Sequence, residues 1–349
     1  MYMRVISIFF WVIFLASCET YTVNMRALPV FAEFETEAVA SGGDAADDPA
    51  IWINPQDPAQ SLILGTDKLS GLAVYNLQGE LVQFLEQGRL NNVDLRSNVI
   101  LNGQITTLAV ATNRSDTTLD IFEISNNGQV SLRYQQPLAM TDPYGVCMYR
   151  DQQGLAFAFV NSSDGIYQQF QLTERMNGEL SPILLGSFSV ASQPEGCVVD
   201  DLDSMFYFGE EEAGIWRMPA DVNRADERVM IAQTGSGELT ADVEGLDIYR
   251  HSDGSRYLIA SSQGDNTYAL YDLNNAAIYL GSVRVALNPL NGVDAVQETD
   301  GLSVTSLALV SRFPQGMLVV QDGYNENPRE KQNFKVISWE NISNALGLK

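Results

Sequence analysis

Val74-Tyr75-Asn76-Leu77 returns as Ile121-Phe122-Glu123-Ile124, Ile215-Trp216-Arg217-Met218 and Leu270-Tyr271-Asp272-Leu273, with looser copies at Gln169-Phe170-Gln171-Leu172 and Asn333-Phe334-Lys335-Val336. The aromatic residue falls at 75, 122, 170, 216, 271 and 334, in steps of 47, 48, 46, 55 and 63. A strand-like pattern recurring every 45 residues or so suits a four-stranded blade. A second register runs ahead of the first. There a polar residue, often followed by Gly or Pro, opens an apolar run at Asp48-Pro49, Asp94-Leu95, Tyr144-Gly145, Glu195-Gly196, Glu244-Gly245 and Asp300-Gly301. Only residues 340–348 read as a helix. Six copies in both registers predict an all-β chain: a six-bladed β-propeller of four-stranded antiparallel blades over residues 30–349, closed by a short C-terminal helix.

The start of the chain has another character. Arg4 precedes an apolar run from Val5 to Leu15 that ends in Leu15-Ala16-Ser17-Cys18. A basic start, a short apolar stretch and small residues at the cut describe a signal peptide, and the Cys at that place resembles a lipoprotein box. Residues 1–17 are therefore expected to be removed, with Cys18 lipidated and residues 18–29 serving as a tether. Glu19 rather than Asp follows, which points to the outer membrane of an envelope reached by export across the inner one. That compartment permits a disulfide between Cys147 and Cys197. Two lone cysteines in a domain this size are more often buried thiols, and both alternatives stand.

Composition narrows the function. The 349 residues carry 44 acids against 20 bases, a net charge of −24. Phosphate backbones and anionic headgroups need a basic surface, so nucleic-acid binding through one is excluded and direct docking on anionic lipid is disfavoured. One histidine, His251, removes every chemistry that needs several, and it falls in a turn, Arg250-His251-Ser252-Asp253-Gly254, at the far end of its blade. The second register places Asp48, Asp94, Tyr144, Glu195, Glu244 and Asp300 around the axis at one end. The loops before the aromatic strands bring Asp67-Lys68, Asn113-Arg114, Ser163-Asp164, Glu210-Glu211-Glu212, Gln263-Gly264-Asp265 and Asp322 to the same end. Crowded carboxylates raise one another's pKa unless cations neutralise them. Oxygen donors favour hard ions, so several Ca²⁺ are the expected cofactor and zinc is not. Lys68 and Arg114 do not serve a metal; they suit a phosphorylated substrate.

These residues resemble the calcium-dependent β-propeller phytases. The likeness is carried by residues 44–52 (Asp-Ala-Ala-Asp-Asp-Pro-Ala-Ile-Trp), Lys68 with Ser70-Gly71-Leu72-Ala73-Val74-Tyr75, and Leu90-Asn91-Asn92-Val93-Asp94. It continues through Asn113-Arg114-Ser115, Tyr144-Gly145, Glu195-Gly196, Asp242-Val243-Glu244-Gly245-Leu246, Ser261-Ser262-Gln263-Gly264, Gln321-Asp322-Gly323, Gln332-Asn333-Phe334-Lys335 and Trp339-Glu340. The resemblance implies hydrolysis of phytate, or calcium phytate, to lower inositol phosphates by water carried on the metal ions. It implies that Glu35, Glu195, Glu210, Glu211, Asp242, Glu244 and Gln263 serve the active-site Ca²⁺, with Tyr144 beside them and in contact with substrate. Asp48, Asp294, Asp322 and Asn325 resemble structural calcium ligands, and Lys68 and Arg114 resemble phosphate contacts. Leu69 and Ser163 stand where the family usually has lysines, which weakens the expected grip on a second phosphate. The chain is expected to act as a monomer, touching a membrane only through its lipid. The alternatives are a non-catalytic calcium propeller that binds phosphorylated ligands, and a calcium lactonase, which Lys68 and Arg114 suit poorly.

Overall fold

The computed structural model describes residues 26–348; the expected signal peptide, Cys18 and most of the expected tether lie outside the described residues. Six sheets of antiparallel strands surround one axis. In blade 1 the chain runs outward through Ala46–Trp52, Leu62–Asp67, Gly71–Asn76 and Leu81–Glu86. The inner strands of blades 2 to 6 are Leu90–Leu101, Pro143–Arg150, Pro194–Asp200, Val243–Arg250 and Leu302–Thr305. The repeated aromatic residue lies on the third strand of every blade. Tyr75, Phe122, Phe170, Tyr271 and Phe334 are buried, and Trp216 is half-buried. The core is accordingly six apolar layers, one between each pair of neighbouring blades. The layer between blades 1 and 2, for example, packs Trp52, Leu64 and Val74 against Ala109 and Phe122.

Two features of the closure carry no local signal. Blade 6 receives its outermost strand from the N-terminal side, where Phe34 pairs with Val336 and Glu35 with Lys335. Leu28–Phe31 then adds to the edge of blade 5, parallel to Ile278–Ala286. The helix Trp339–Leu346 follows blade 6 and stacks Trp339 on Tyr249 with ring centroids 3.6 Å apart. Cys147 and Cys197, favoured above as free thiols, form a disulfide with a Cα–Cα distance of 5.7 Å. Their strands are neighbours at the axis, where the two positions meet.

The inner strands of blades 1 to 5 open with a β-bulge, and this corrects the second register. In blade 1 the pairing passes from Ala46↔Asp67 to Pro49↔Gly65, so Asp47 and Asp48 together face Thr66. The same two-against-one step holds Asn91-Asn92, Tyr144-Gly145, Glu195-Gly196 and Glu244-Gly245. The equivalent ring is therefore Asp47, Asn91, Tyr144, Glu195, Glu244 and Asp300. Asp48 and Asp94 sit deeper, where Asp48 accepts from the Val93 amide at 3.0 Å and Asp94 from the Met148 amide at 2.8 Å. Both border a narrow axial cavity of about 20 Å³. A bulge adds an unpaired residue, which pattern spacing alone does not reveal.

The second bulge residue lies against the next blade's backbone. A Cβ on Gly145 would stand 2.0 Å from the Glu195 carbonyl oxygen, and one on Gly196 2.1 Å from that of Glu244. Gly196→Ala is expected to cost about 1–3 kcal/mol or more from overpacking, read as a lower melting temperature. Gly42→Ala, where the nearest atom is 4.0 Å away, is expected to melt like the wild type. Equal melting of both variants contradicts this account of the ring.

Candidate active site

At the ring end of the axis lies a cavity of about 1260 Å³. Eight of the residues singled out from sequence line it: Lys68, Tyr144, Glu195, Glu211, Asp242, Glu244, Gln263 and Asn325. Tyr144, Glu195 and Glu244 enter as first residues of their bulges. Lys68 and Glu211 come from the hairpins that follow the second strands of blades 1 and 4. Asp300 lines the cavity as well, and Asp47 lies buried beside it.

The carboxylates form two triples that share one member. Glu195, Glu211 and Glu244 each offer an oxygen within 4.8 Å of the others, and so do Asp47, Glu195 and Asp300. All five are buried. Burial and the neighbouring Glu244 push Glu195 well above the usual carboxylate range. Burial does the same to Glu244. Burial and Asp47 raise Asp300 despite Lys68. Burial carries Glu211 to about 7, although Gln193 Nε2 donates to its Oε1 at 2.7 Å. Glu244 Oε2 and Asp47 Oδ2 are buried without a hydrogen-bond partner among the described residues.

The cations are placed unequally. Lys68 Nζ lies 2.9 Å from Asp44, 2.9 Å from Asp47 and 3.3 Å from Asp300. Burial works against its charge, but those carboxylates hold the ammonium well above its ordinary value. Arg114 is outside the cavity wall. Its fork binds Asp142 at 2.8 and 2.9 Å, and its Nη1 donates to Asn91 Oδ1 at 3.2 Å. Asn91 Nδ2 in turn donates to Glu195 Oε1 at 3.0 Å. Arg114 also stands over the Tyr144 ring, 5.3 Å from its centroid. It reaches the site through Asn91 and Tyr144. Glu195 first, then burial, push the Tyr144 phenol far up, so it keeps its proton and can donate it in a hydrogen bond. Ser163 Oγ donates to Asp142 at 3.0 Å and stays out of the cavity wall.

The other expected metal ligands gather elsewhere. Lys335 is wholly buried, and its ammonium meets Asp294, Asp322 at 2.7 Å and Glu35 at 3.7 Å. Asn325 Oδ1 and Glu35 Oε2 accept no hydrogen bond among the described residues, and Glu35 Oε2 has only the longer ion pair with Lys335. Glu210 turns away from the cavity; its oxygens accept from the Ala191 and Ser192 amides, Ser192 Oγ and Trp216 Nε1. Sequence reasoning passed over Asp47, Asn91, Gln193 and Lys335. Only the residue pairs of the bulges, Asp47-Asp48 and Asn91-Asn92, carried a usable signal.

Fold and site together define a propeller that concentrates its acids at one end of its axis. Residues 5–349 match the family described as Phytase. A 3-phytase of Bacillus subtilis (strain 168) is 36% identical over 337 residues, which cover 94% of this chain and 88% of that protein. The chain belongs to the phytase family and is an enzyme. That membership removes the non-catalytic alternative.

The raised carboxyls set a pH dependence. A carboxyl whose folded pKa exceeds its unfolded one adds stability in full below the unfolded value and loses it as pH rises through the folded value. For Glu211 that window runs from 4.5 to about 7. Protein stripped of metal by a chelator is expected to melt lower at pH 8 than at pH 5.5, and Glu211→Gln to flatten the slope. Melting that rises with pH over this window contradicts the assignment.

Proposed function

We propose that this enzyme is a calcium-dependent phosphomonoesterase that removes phosphate from phytate. The observation that carries the reading is the pair of buried carboxylate triples joined at Glu195 beside the Lys68 ammonium. The donor set fits a hard cation: it is made of oxygens, and two of them, Glu244 Oε2 and Asp47 Oδ2, are buried without partners. Glu195, Glu211 and Glu244 would hold one ion and Asp47, Glu195 and Asp300 another, with Asp242 and Gln263 at the edge. Bound calcium would supply positive charge to the phosphoryl oxygens and acidify water.

The chain's own groups do the rest. Lys68 offers its ammonium to a phosphoryl oxygen while Asp44, Asp47 and Asp300 keep it charged. Tyr144 keeps its phenolic proton and donates to a second oxygen. Glu211 stands beside the attacking water, which it would help to orient together with the ion it holds. Asn91 orients Glu195 and is itself braced by Arg114. Charge held in place before reaction costs no reorganisation when the transition state forms.

The Cys147–Cys197 disulfide supports an oxidising compartment, which agrees with export and anchoring through Cys18. Cys18→Ser is expected to move the protein from the detergent-extracted membrane fraction to the soluble one; a wild type already soluble overturns the anchor.

Phosphate release from phytate decides the enzymatic reading. Release is expected with Ca²⁺ and abolished by EDTA. Glu211→Gln is expected to lower kcat at least a hundredfold, and Lys68→Ala to lower kcat/KM by a similar factor, as loss of about 2.7 kcal/mol or more of transition-state stabilisation does. Release unaffected by EDTA, or unaltered in both variants, contradicts it.

A further inference from the structure

We propose that Arg329, with Lys331 beside it, anchors a second phosphate of the substrate and sets the preference for polyphosphorylated over singly phosphorylated esters. The proposal rests on the phosphatase reading above and adds to it residues that the sequence analysis did not single out.

The argument begins with where the cations are. The expected second-phosphate positions do not supply one. Leu69 is apolar, Ser163 is committed to Asp142, and Arg114 clamps that same carboxylate outside the cavity wall. Three cations line the cavity: Lys68, Arg329 and Lys331. Lys68 is shared among three carboxylates. Lys331 Nζ donates to the Ala40 carbonyl. Arg329 makes no ion pair among the described residues, in a chain of net charge −24. A guanidinium presents a planar fork that matches two phosphate oxygens at once.

The loop that carries it is braced for the purpose. Residues 323–332 join the last two strands of blade 6. The Glu326 amide donates to Asp294 Oδ2 at 2.5 Å, and Asn327 Nδ2 to the Gly292 carbonyl at 2.7 Å. Gln332 Oε1 accepts from the Ala45 and Ala46 amides at 2.6 and 2.8 Å, while its Nε2 donates to the Gly323 carbonyl at 3.1 Å. Gln332 thus ties the loop to the segment that carries Asp44 and Asp47, the partners of Lys68. Arg329 is set on the cavity wall next to the blade that holds Lys68, on a backbone fixed at both ends. A braced backbone limits the cost of binding to the ordering of the Arg329 side chain. A substrate with one phosphate is served by the carboxylate triples and Lys68. A cyclitol bearing further phosphates can also meet Arg329, which lines the same cavity.

The test compares Arg329→Ala, Arg329→Lys and the Arg329→Ala/Lys331→Ala double variant on phytate and on 4-nitrophenyl phosphate. Binding of myo-inositol hexasulfate, a polyanion without a phosphoryl group, is followed in parallel by calorimetry. Arg329→Ala is expected to raise KM for phytate about tenfold with kcat within twofold, and to weaken hexasulfate binding by a similar factor. Arg329→Lys is expected to recover part of both. The monoester is expected to lose less than twofold. Unchanged phytate KM and unchanged hexasulfate binding in the double variant overturn the proposal, and so does an equal loss on phytate and the monoester. A wild type that binds hexasulfate through Arg329 yet releases no phosphate from phytate sinks the phosphatase reading and leaves the anion anchor standing.

Discussion

Repulsion among Asp47, Glu195, Glu211, Glu244 and Asp300 is the constraint around which the molecule is arranged. Within each of the two triples, which share Glu195, oxygens come within 4.8 Å of one another in a buried setting. At an effective dielectric of 20, two unit charges that close repel by about 3–4 kcal/mol. Several such pairs approach the whole stability of an ordinary domain. Lys68 offsets part of it, since it alone touches both Asp47 and Asp300. The remainder is met either by protons, which the raised carboxyls at Glu195, Glu244 and Asp300 describe, or by divalent cations, as proposed. The same crowding that would destabilise the stripped protein is what would suit the site to hard cations, as proposed.

The propeller is what makes the crowding possible. Inner strands from six blades converge on one axis, and in blades 1 to 5 a bulge at the head of the strand turns one side chain toward the shared end. Glycine beyond the bulge lets the neighbouring blade's carbonyl approach to a distance that no Cβ tolerates, as at Gly145 and Gly196. Ties between neighbouring inner strands lie just beneath. Asp48 holds blade 2, Asp94 holds blade 3, and Asp247 accepts from the Val304 amide of blade 6 at 2.7 Å. The Cys147–Cys197 bridge does the same for blades 3 and 4 with a covalent bond. Cavity-lining groups and structural ties thus share the same inner strands.

Much of this was legible in the chain. The aromatic repeat counted the blades correctly because every blade carries its aromatic on the third strand, packed into a layer against a neighbouring blade. Polar heads of inner strands named Tyr144, Glu195, Glu244 and Asp300 for the same reason. Asp48 was chosen where Asp47 is the equivalent, because two adjacent aspartates differ only by the bulge that separates them. Lys335 occupies the polar place of its repeat like Asn76 or Asp272. It is buried among Asp294, Asp322 and Glu35, the last on a strand from the other end of the chain, and no local pattern encodes those contacts. Arg114 was legible as a cation near the site, but its commitment to Asp142 depends on a partner 28 residues away. The disulfide was undecidable from composition and follows from the two cysteines facing each other across adjacent blades.

The central claim is that the Glu195-centred carboxylates bind calcium. Calorimetric titration of Ca²⁺ into chelator-stripped protein at pH 7, run in two buffers of different ionisation enthalpy, tests it most directly. The account predicts binding of more than one ion with release of protons, and the loss of at least one of those ions in Glu195→Gln. Absence of binding, or an isotherm in Glu195→Gln identical to that of the wild type, would contradict it.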